Sequence, residues 1–138
     1  MGNNFLGDIP GSHSYTVETP VVALGTEYKQ AIWKAPFACT VTSVKILPQA
    51  AVTGNTTNNF SVNILNGGQV GTSTTSVAVK EYNTGVDSVA LTEETLTLSG
   101  TAANLVLAAG DWLVWSKTED GSGLATVHCA VAIEVTPV

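Results

Sequence analysis

Charged residues are scarce in this chain of 138 residues, and arginine is missing altogether. Charged side chains make up 12% of the sequence, against about a quarter in an ordinary globular protein. The basic residues are 5 lysines, and the formal net charge is −6. A nucleic-acid-binding surface needs clustered Lys and Arg to neutralise phosphates, so we expect no nucleic acid among the partners.

Long hydrophobic runs are also lacking. No apolar stretch approaches the roughly 20 residues that a membrane-spanning helix requires, so we expect no membrane insertion. The first residues, Met1 to Asp8, have neither the basic start nor the apolar run of a secretion signal. The sequence therefore predicts a protein that is made and folded in a cytoplasm.

Groups that perform chemistry are few, with 2 cysteines and 2 histidines in the whole chain. Cys39 and Cys129 each fall in a predicted strand. They could form a disulfide or remain two buried thiols, and a reducing cytoplasm favours the thiols. His128 adjoins Cys129, but neighbouring residues of a strand point to opposite faces, so the two do not form a nucleophile and its base. The scattered Cys and His residues show no metal-binding spacing, and we predict no metal and no cofactor.

The acidic residues give no stronger indication of chemistry. The turn at 119–123 could offer oxygens to calcium, but an exposed hairpin loop explains it better, because calcium loops carry more alternating carboxylates. Nothing in the sequence places any two of the candidate carboxylates across one cleft, as glycoside hydrolysis would require. The candidates are Glu81, Asp87, Glu93 and Glu94. We therefore expect a protein that binds or assembles and is not an enzyme.

What the chain does contain is Thr, Val, Asn and Gly, which favour strands and turns over helices. From Val21 onward, short runs of alternating apolar residues are broken by turn residues, which is typical of a sandwich or barrel. The sequence thus predicts one all-β domain over residues 21–138, an antiparallel β-sandwich of jelly-roll type. The strands that we expect are 21–24, 28–34, 37–47, 59–66, 74–82, 86–91, 94–98, 104–107, 111–118 and 124–135.

Two of these strands carry specific predictions. In the strand 37–47 the apolar positions shift by one residue, which indicates a β-bulge near Thr42 and Ser43. The last strand alternates strictly, so that one face must be core and the other carries Ala130 and Ala132. Such small, weakly polar residues suit a face that is covered, either by another subunit or by a loop of the same chain.

Trp112 and Trp115 are candidates for an exposed aromatic contact. They are three residues apart in a strand, so they face opposite sides of the sheet, and one of them should be core. The other would point outward, where a Trp commonly contacts a partner. The sequence alone does not choose between them, and a position of both at the edge of the core is an equal alternative.

Residues 1–20 form an N-terminal segment of different composition, rich in Gly, Asn and Pro. We predict an extended arm that lies outside the sandwich. Its larger apolar residues, Phe5, Leu6 and Ile9, cannot form a core of their own, so we expect them to bind a neighbouring protomer or the surface of another protein. The alternative is a disordered tail without a role.

Five further segments share a pattern and together cover roughly residues 30–135: Trp33–Val41, Pro48–Asn55, Asn59–Asn66, Leu96–Leu105 and Ala108–Asp111. These segments resemble small structural proteins of tailed bacteriophage virions. Members of this group include head decoration (capsid cement) proteins, which have jelly-roll folds and are often trimeric on the capsid surface.

The resemblance implies a capsid decoration protein that binds the major capsid protein, forms a homotrimer and stabilises the virion head. It implies a location on the capsid surface after synthesis in the host cytoplasm. It transfers no functional residue individually, but it makes the capsid, as well as a neighbouring protomer, the expected partner of Phe5, Leu6 and Ile9. A second hypothesis is a receptor- or carbohydrate-binding jelly-roll domain of a phage fibre, because the Trp residues and the Asn- and Thr-rich loops suit sugar binding.

Overall fold

The computed structural model describes residues 11–138, and this part of the chain consists of β-strands with one short 3-10 helix, Ala102–Leu105. The strands are β1 (His13–Thr19), β2 (Tyr28–Lys34), β3 (Cys39–Pro48), β4 (Asn59–Gly68), β5 (Thr75–Glu81), β6 (Glu94–Thr95), β7 (Thr97–Leu98), β8 (Val106–Leu107), β9 (Trp112–Asp120) and β10 (Cys129–Pro137).

The strands form two antiparallel sheets. Sheet A has the order β1-β10-β3-β6, with β8 also paired to β3, and sheet B has the order β2-β9-β4-β5-β7. The first strand thus pairs with the last, β2 with β9, β3 with β8 and β4 with β5. This nested pairing is that of a jelly roll, in which one long hairpin is wound into two packed sheets. The predicted fold class is confirmed.

The core lies between the two sheets and is built from alternate residues of the long strands. From sheet A, Val131, Ile133 and Val135 of β10 are fully buried. From sheet B, Phe60 and Ile64 of β4 meet them in the same cluster. Each such side chain stabilises the fold by about 1.5–3 kcal/mol relative to an exposed position. The period-two pattern of the sequence therefore predicts the inward face of both strands correctly.

The bulge predicted in β3 is present. Thr42 is an extra residue of β3, where the pairing with β10 shifts between Glu134 and Val135. Its exposed side chain donates a hydrogen bond to the carbonyl oxygen of Glu134 at 3.2 Å. Because of this extra residue, Val41 and Val44 both point into the core although they are three positions apart.

The sandwich begins earlier than the sequence analysis placed it. β1 lies within the predicted arm 1–20, yet it pairs with β10 along its whole length, from His13 opposite Val135 to Thr19 opposite Cys129. Two other predicted strands are absent, because 21–24 is a loop and 86–91 contributes only an isolated bridge between Val52 and Ser88.

One end of the sandwich is organised by the turn at Ala108–Asp111. The carboxylate of Asp111 accepts hydrogen bonds from the amide of Gln69 at 2.7 Å and from the backbone N–H of Ala108 at 2.9 Å. The backbone of this turn also pairs with Ala35 in both directions, at 2.8 and 2.7 Å. Asp111 is only 8% exposed. Its charged side chain ties the turn to Gln69, and backbone hydrogen bonds tie the turn to Ala35.

Candidate functional site

The residues with catalytic potential do not converge. His128 is exposed, and its Nδ1 lies 3.2 Å from the carbonyl oxygen of Thr19. Cys129 follows on the opposite side of β10, and its Sγ lies 3.6 Å from the carbonyl oxygen of Val127. The expected separation of the imidazole from the thiol is confirmed.

The two thiols lie at opposite ends of the ladder between β3 and β10. Cys39 is paired with Pro137, and Cys129 with Pro48. They are therefore free thiols, as the sequence analysis favoured, but only Cys39 is fully buried and Cys129 is half-buried. Burial raises the pKa of each thiol to about 11. Both are thus held in the protonated, unreactive form at neutral pH.

Several acidic side chains are engaged by other groups. Three glutamates form ion pairs with lysines: Glu93 with Lys45, Glu94 with Lys80 and Glu119 with Lys117. Asp87 accepts a hydrogen bond from the backbone N–H of Gly54 at 2.8 Å. Within residues 11–138, no group of three or more His, Cys, Asp or Glu residues is arranged to hold a metal ion.

The two tryptophans of β9 face opposite sides of sheet B, as predicted. Trp115 is 1% exposed and belongs to the core. Trp112 is half-buried and points outward, and the Nζ of Lys34 lies 5.4 Å from the centre of its ring. The structure therefore makes the choice that the sequence left open. Only Trp112 is available for contact with a partner.

The outer face of sheet A has small, uncharged residues at its centre. Ala130 and Ala132 of β10 are both half-buried there. Their neighbours come from the two adjacent strands, β1 and β3. Ala132 lies between Thr16 and Lys45, and Ala130 lies between Glu18 and Leu47. We call this surface the alanine face.

Two adjoining hollows shape the alanine face, and Ala130 lines both of them. The smaller has a volume of about 190 Å³ and is bounded on one side by Glu93. The larger, of about 480 Å³, is bounded by Glu18, Gln49 and His128. Both hollows open to solvent, so no loop between residues 11 and 138 covers the whole face. Charged groups thus surround a small, uncharged centre.

The predicted arm residues Phe5, Leu6 and Ile9 lie outside the described residues, so their predicted role stays a prediction. The structure adds two functional features that the sequence analysis missed. One is the position of Lys29 and Lys34 on the same face of sheet B as Trp112, which depends on a bulge in β2. The other is the burial of Lys117, which depends on contacts between distant parts of the chain.

No protein-family model and no curated protein matches the chain. Among solved structures, a chain in the structure of infectious bursal disease virus Gx strain matches with a TM-score of 0.37 and 7% sequence identity. The match covers 94% of this chain and 33% of that one, so the protein spans about a third of the length of the chain it resembles. No helix within residues 11–138 is long and apolar enough to span a membrane.

Proposed function

We propose that the protein is a structural component of a bacteriophage virion that decorates the outside of the capsid. In this proposal it binds the major capsid protein, stabilises the head and needs no enzymatic activity. The jelly-roll fold and the phage-like segments of the sequence are compatible with this role. The observation that carries the proposal is the alanine face, whose small, uncharged centre is surrounded by charged residues.

The alanine face resembles a subunit interface in its layout. Stable interfaces have a core from which charge is depleted, and a polar rim. Here Ala130 and Ala132 form the centre, and Glu18, Lys45 and Glu93 form the rim. Small side chains allow two sheets to approach closely. We propose that this face joins three copies of the chain in a homotrimer.

The trimer is tested by light scattering at micromolar concentration. We expect about three times the chain mass of 14.2 kDa. Ala132→Arg should reduce the mass to that of a monomer, because it places a charge in the centre of the interface. Thr118→Arg is the matched control, since Thr118 is exposed on β9 of the other sheet. A monomeric wild-type protein would refute the trimer.

Attachment to the capsid is tested by sedimentation of phage particles. The protein should sediment with purified heads and should raise the temperature at which the heads release their DNA. Heads prepared without the protein should regain both properties when it is added back. If it remains in the supernatant under all these conditions, the decoration role is wrong.

A second candidate function, carbohydrate or receptor binding at a fibre tip, is favoured by the outward position of Trp112. An aromatic ring on an open surface can stack on a sugar ring. A glycan array should then show binding that Trp112→Ala abolishes while folding is retained. Trp115→Ala is unsuitable for this test, because Trp115 is part of the core.

A further inference from the structure

The lysines of this acidic chain fall into two groups. Three of them are ion-paired with glutamates: Lys45, Lys80 and Lys117. The other two, Lys29 and Lys34, are exposed and form no ion pair within residues 11–138. They are therefore the cations of the described chain that remain available to an external partner.

Both available lysines project from the same side of β2. They are five residues apart, an odd spacing that would place them on opposite faces of a regular strand. The pairing with β9 shifts between Ala31 and Trp33, so that Lys29 lies opposite Ser116 and Lys34 opposite Trp112. The irregularity thus brings both side chains to the outer face of sheet B, with their Cα atoms roughly 15 Å apart along the strand.

The surface between the two lysines is apolar. It includes Trp112, Ala31 and Val114, together with Val70, whose side chain is 79% exposed. These residues line a shallow hollow of about 240 Å³, and Lys29 borders it. An apolar centre with an exposed aliphatic side chain and an aromatic ring is thus bracketed by two cations. We call this surface the lysine–tryptophan face.

We propose that the lysine–tryptophan face docks an acidic, partly apolar surface of a different protein. The charge of the face is opposite to the net charge of the chain, and such complementarity selects a partner and steers its approach. The two lysines flank an apolar surface at separate positions of β2, so they suit carboxylates spaced along a protein segment. Trp is also the residue type most enriched among residues that dominate binding energy.

A second copy of this chain is a poor occupant of the face. A two-fold contact would bring the same patch of each copy together and place lysines against lysines. The proposal rests on the decoration role in one respect, because the major capsid protein would then be the partner. The alanine face and the lysine–tryptophan face lie on opposite sides of the sandwich, so trimer formation leaves the second face exposed.

The first test uses an immobilised copolymer of glutamate and tyrosine as the probe. Wild-type protein should bind it at 50 mM NaCl and lose at least about tenfold in affinity at 500 mM, because salt screens the charges. Lys34→Gln, Lys29→Gln and Trp112→Ala should each weaken binding about fivefold or more. Ser122→Glu is the matched control, since it makes the same change of net charge at an exposed turn remote from β2.

Three outcomes would overturn the proposal. One is equal weakening by Ser122→Glu, which would indicate a general charge effect. Another is Trp112-dependent binding to neutral glycans without binding to the acidic copolymer. The third is self-association of the wild-type protein that Lys34→Gln abolishes, which would make a second copy the occupant.

The second test separates this proposal from the decoration role. Suppose that the wild-type protein sediments with phage heads and that the double variant Lys34→Gln/Trp112→Ala sediments equally well. The docking proposal then fails and the decoration role stands. If the protein does not bind phage heads but binds the acidic copolymer through Lys34 and Trp112, the decoration role fails and the docking proposal stands.

Discussion

Lys117 and Glu119 lie two residues apart on β9, and their side chains form an ion pair enclosed at one end of the sandwich. The side chains are 0% and 8% exposed. The Nζ of Lys117 also donates to the carbonyl oxygen of Ala23 at 2.8 Å, and the backbone N–H of Gly25 donates to Glu119 at 3.1 Å. The pair therefore ties the loop between β1 and β2 to the middle strands of sheet B.

Breaking this pair should be costly. Glu119→Gln leaves the buried Lys117 without a counter-charge, and we expect a loss of about 3–5 kcal/mol in the free energy of unfolding, measured in urea. Glu93→Gln is the matched control, because its partner Lys45 is 41% exposed, and it should cost less than about 1 kcal/mol. Adding Lys117→Met to Glu119→Gln should recover part of the loss. Equal effects of the two single substitutions would contradict the prediction.

The two tryptophans of β9 should respond differently to truncation. Trp115→Ala removes a core side chain that is 1% exposed, and we expect a loss of about 3–5 kcal/mol. Trp112→Ala removes an outward side chain and its contact with Lys34, and it should cost about 1 kcal/mol or less. Thermal unfolding followed by circular dichroism measures both. A Trp112→Ala variant as unstable as Trp115→Ala would show that the outer face of sheet B has a structural role.

The turn at Asp111 should depend on its negative charge. Asp111→Asn keeps the size of the side chain but weakens its bonds to Gln69 and Ala108, and we expect a loss of about 1–3 kcal/mol. Asp120→Asn is the comparison, since Asp120 is exposed at the end of β9. It should change the free energy of unfolding by less than about 0.5 kcal/mol. Urea titration of both variants tests this, and equal stability of the two would refute it.

The features that sequence predicted are those encoded by local periodicity. The bulge at Thr42 appears as a one-residue shift of the apolar positions within a single strand, so neighbouring residues suffice to predict it. β1 also alternates, with Tyr15 and Val17 on its inner side. The alternation of β1 is hard to recognise in the sequence, because the residues before it are rich in Gly, Asn and Pro and Pro20 follows it.

The features that sequence did not predict depend on contacts between distant residues. Lys117 has the composition of a surface residue, and its burial follows from a loop that closes over it 94 positions away in sequence. The common orientation of Lys29 and Lys34 follows from the register of β2 on β9. Neither relationship leaves a local pattern, which is why the lysine–tryptophan face emerged only from the structure.

The thiols should be unreactive in the folded protein. The pKa of Cys39 and of Cys129 is raised by burial from an ordinary value of 9.0 to about 11, so little thiolate exists at pH 8. A thiol reagent should label both cysteines slowly at pH 8 in buffer. It should label them rapidly in about 8 M urea, because unfolding exposes them. Fast labelling of either cysteine without urea would contradict this.

The same shifts predict how stability depends on pH. The unfolded chain releases its thiol protons near pH 9, whereas the folded chain retains them until about pH 11. The contribution of the thiols to the free energy of unfolding is therefore complete below pH 9 and is lost as the pH rises towards 11. The difference in melting temperature between pH 8 and pH 10.5 should be smaller in Cys39→Ala than in the wild-type protein. An unchanged difference would count against Cys39 as a source of the effect.

The N-terminal arm should contribute to attachment and not to folding, provided that the deletion ends before β1. Removing residues 2–10 leaves β1 intact, whereas removing residues 2–18 takes away Tyr15 and Val17, which pack against the core, and uncovers the edge of β10. We expect the shorter deletion to keep the unfolding midpoint of the full chain. We expect the longer deletion to aggregate or to unfold at much lower urea concentration.

The effect of the shorter deletion on attachment follows from Phe5, Leu6 and Ile9. Burying three such side chains on a partner contributes on the order of 4–8 kcal/mol, at about 1.5–3 kcal/mol each, before the cost of ordering the segment is subtracted. The net gain of one arm is small, but several arms on one oligomer act together and can raise avidity by about 10²–10⁴. Replacing only these three residues with Ser should weaken sedimentation with phage heads as much as the deletion does, because the apolar side chains supply the binding. If the deleted protein trimerises and binds heads as well as the full chain does, the arm is only a tail.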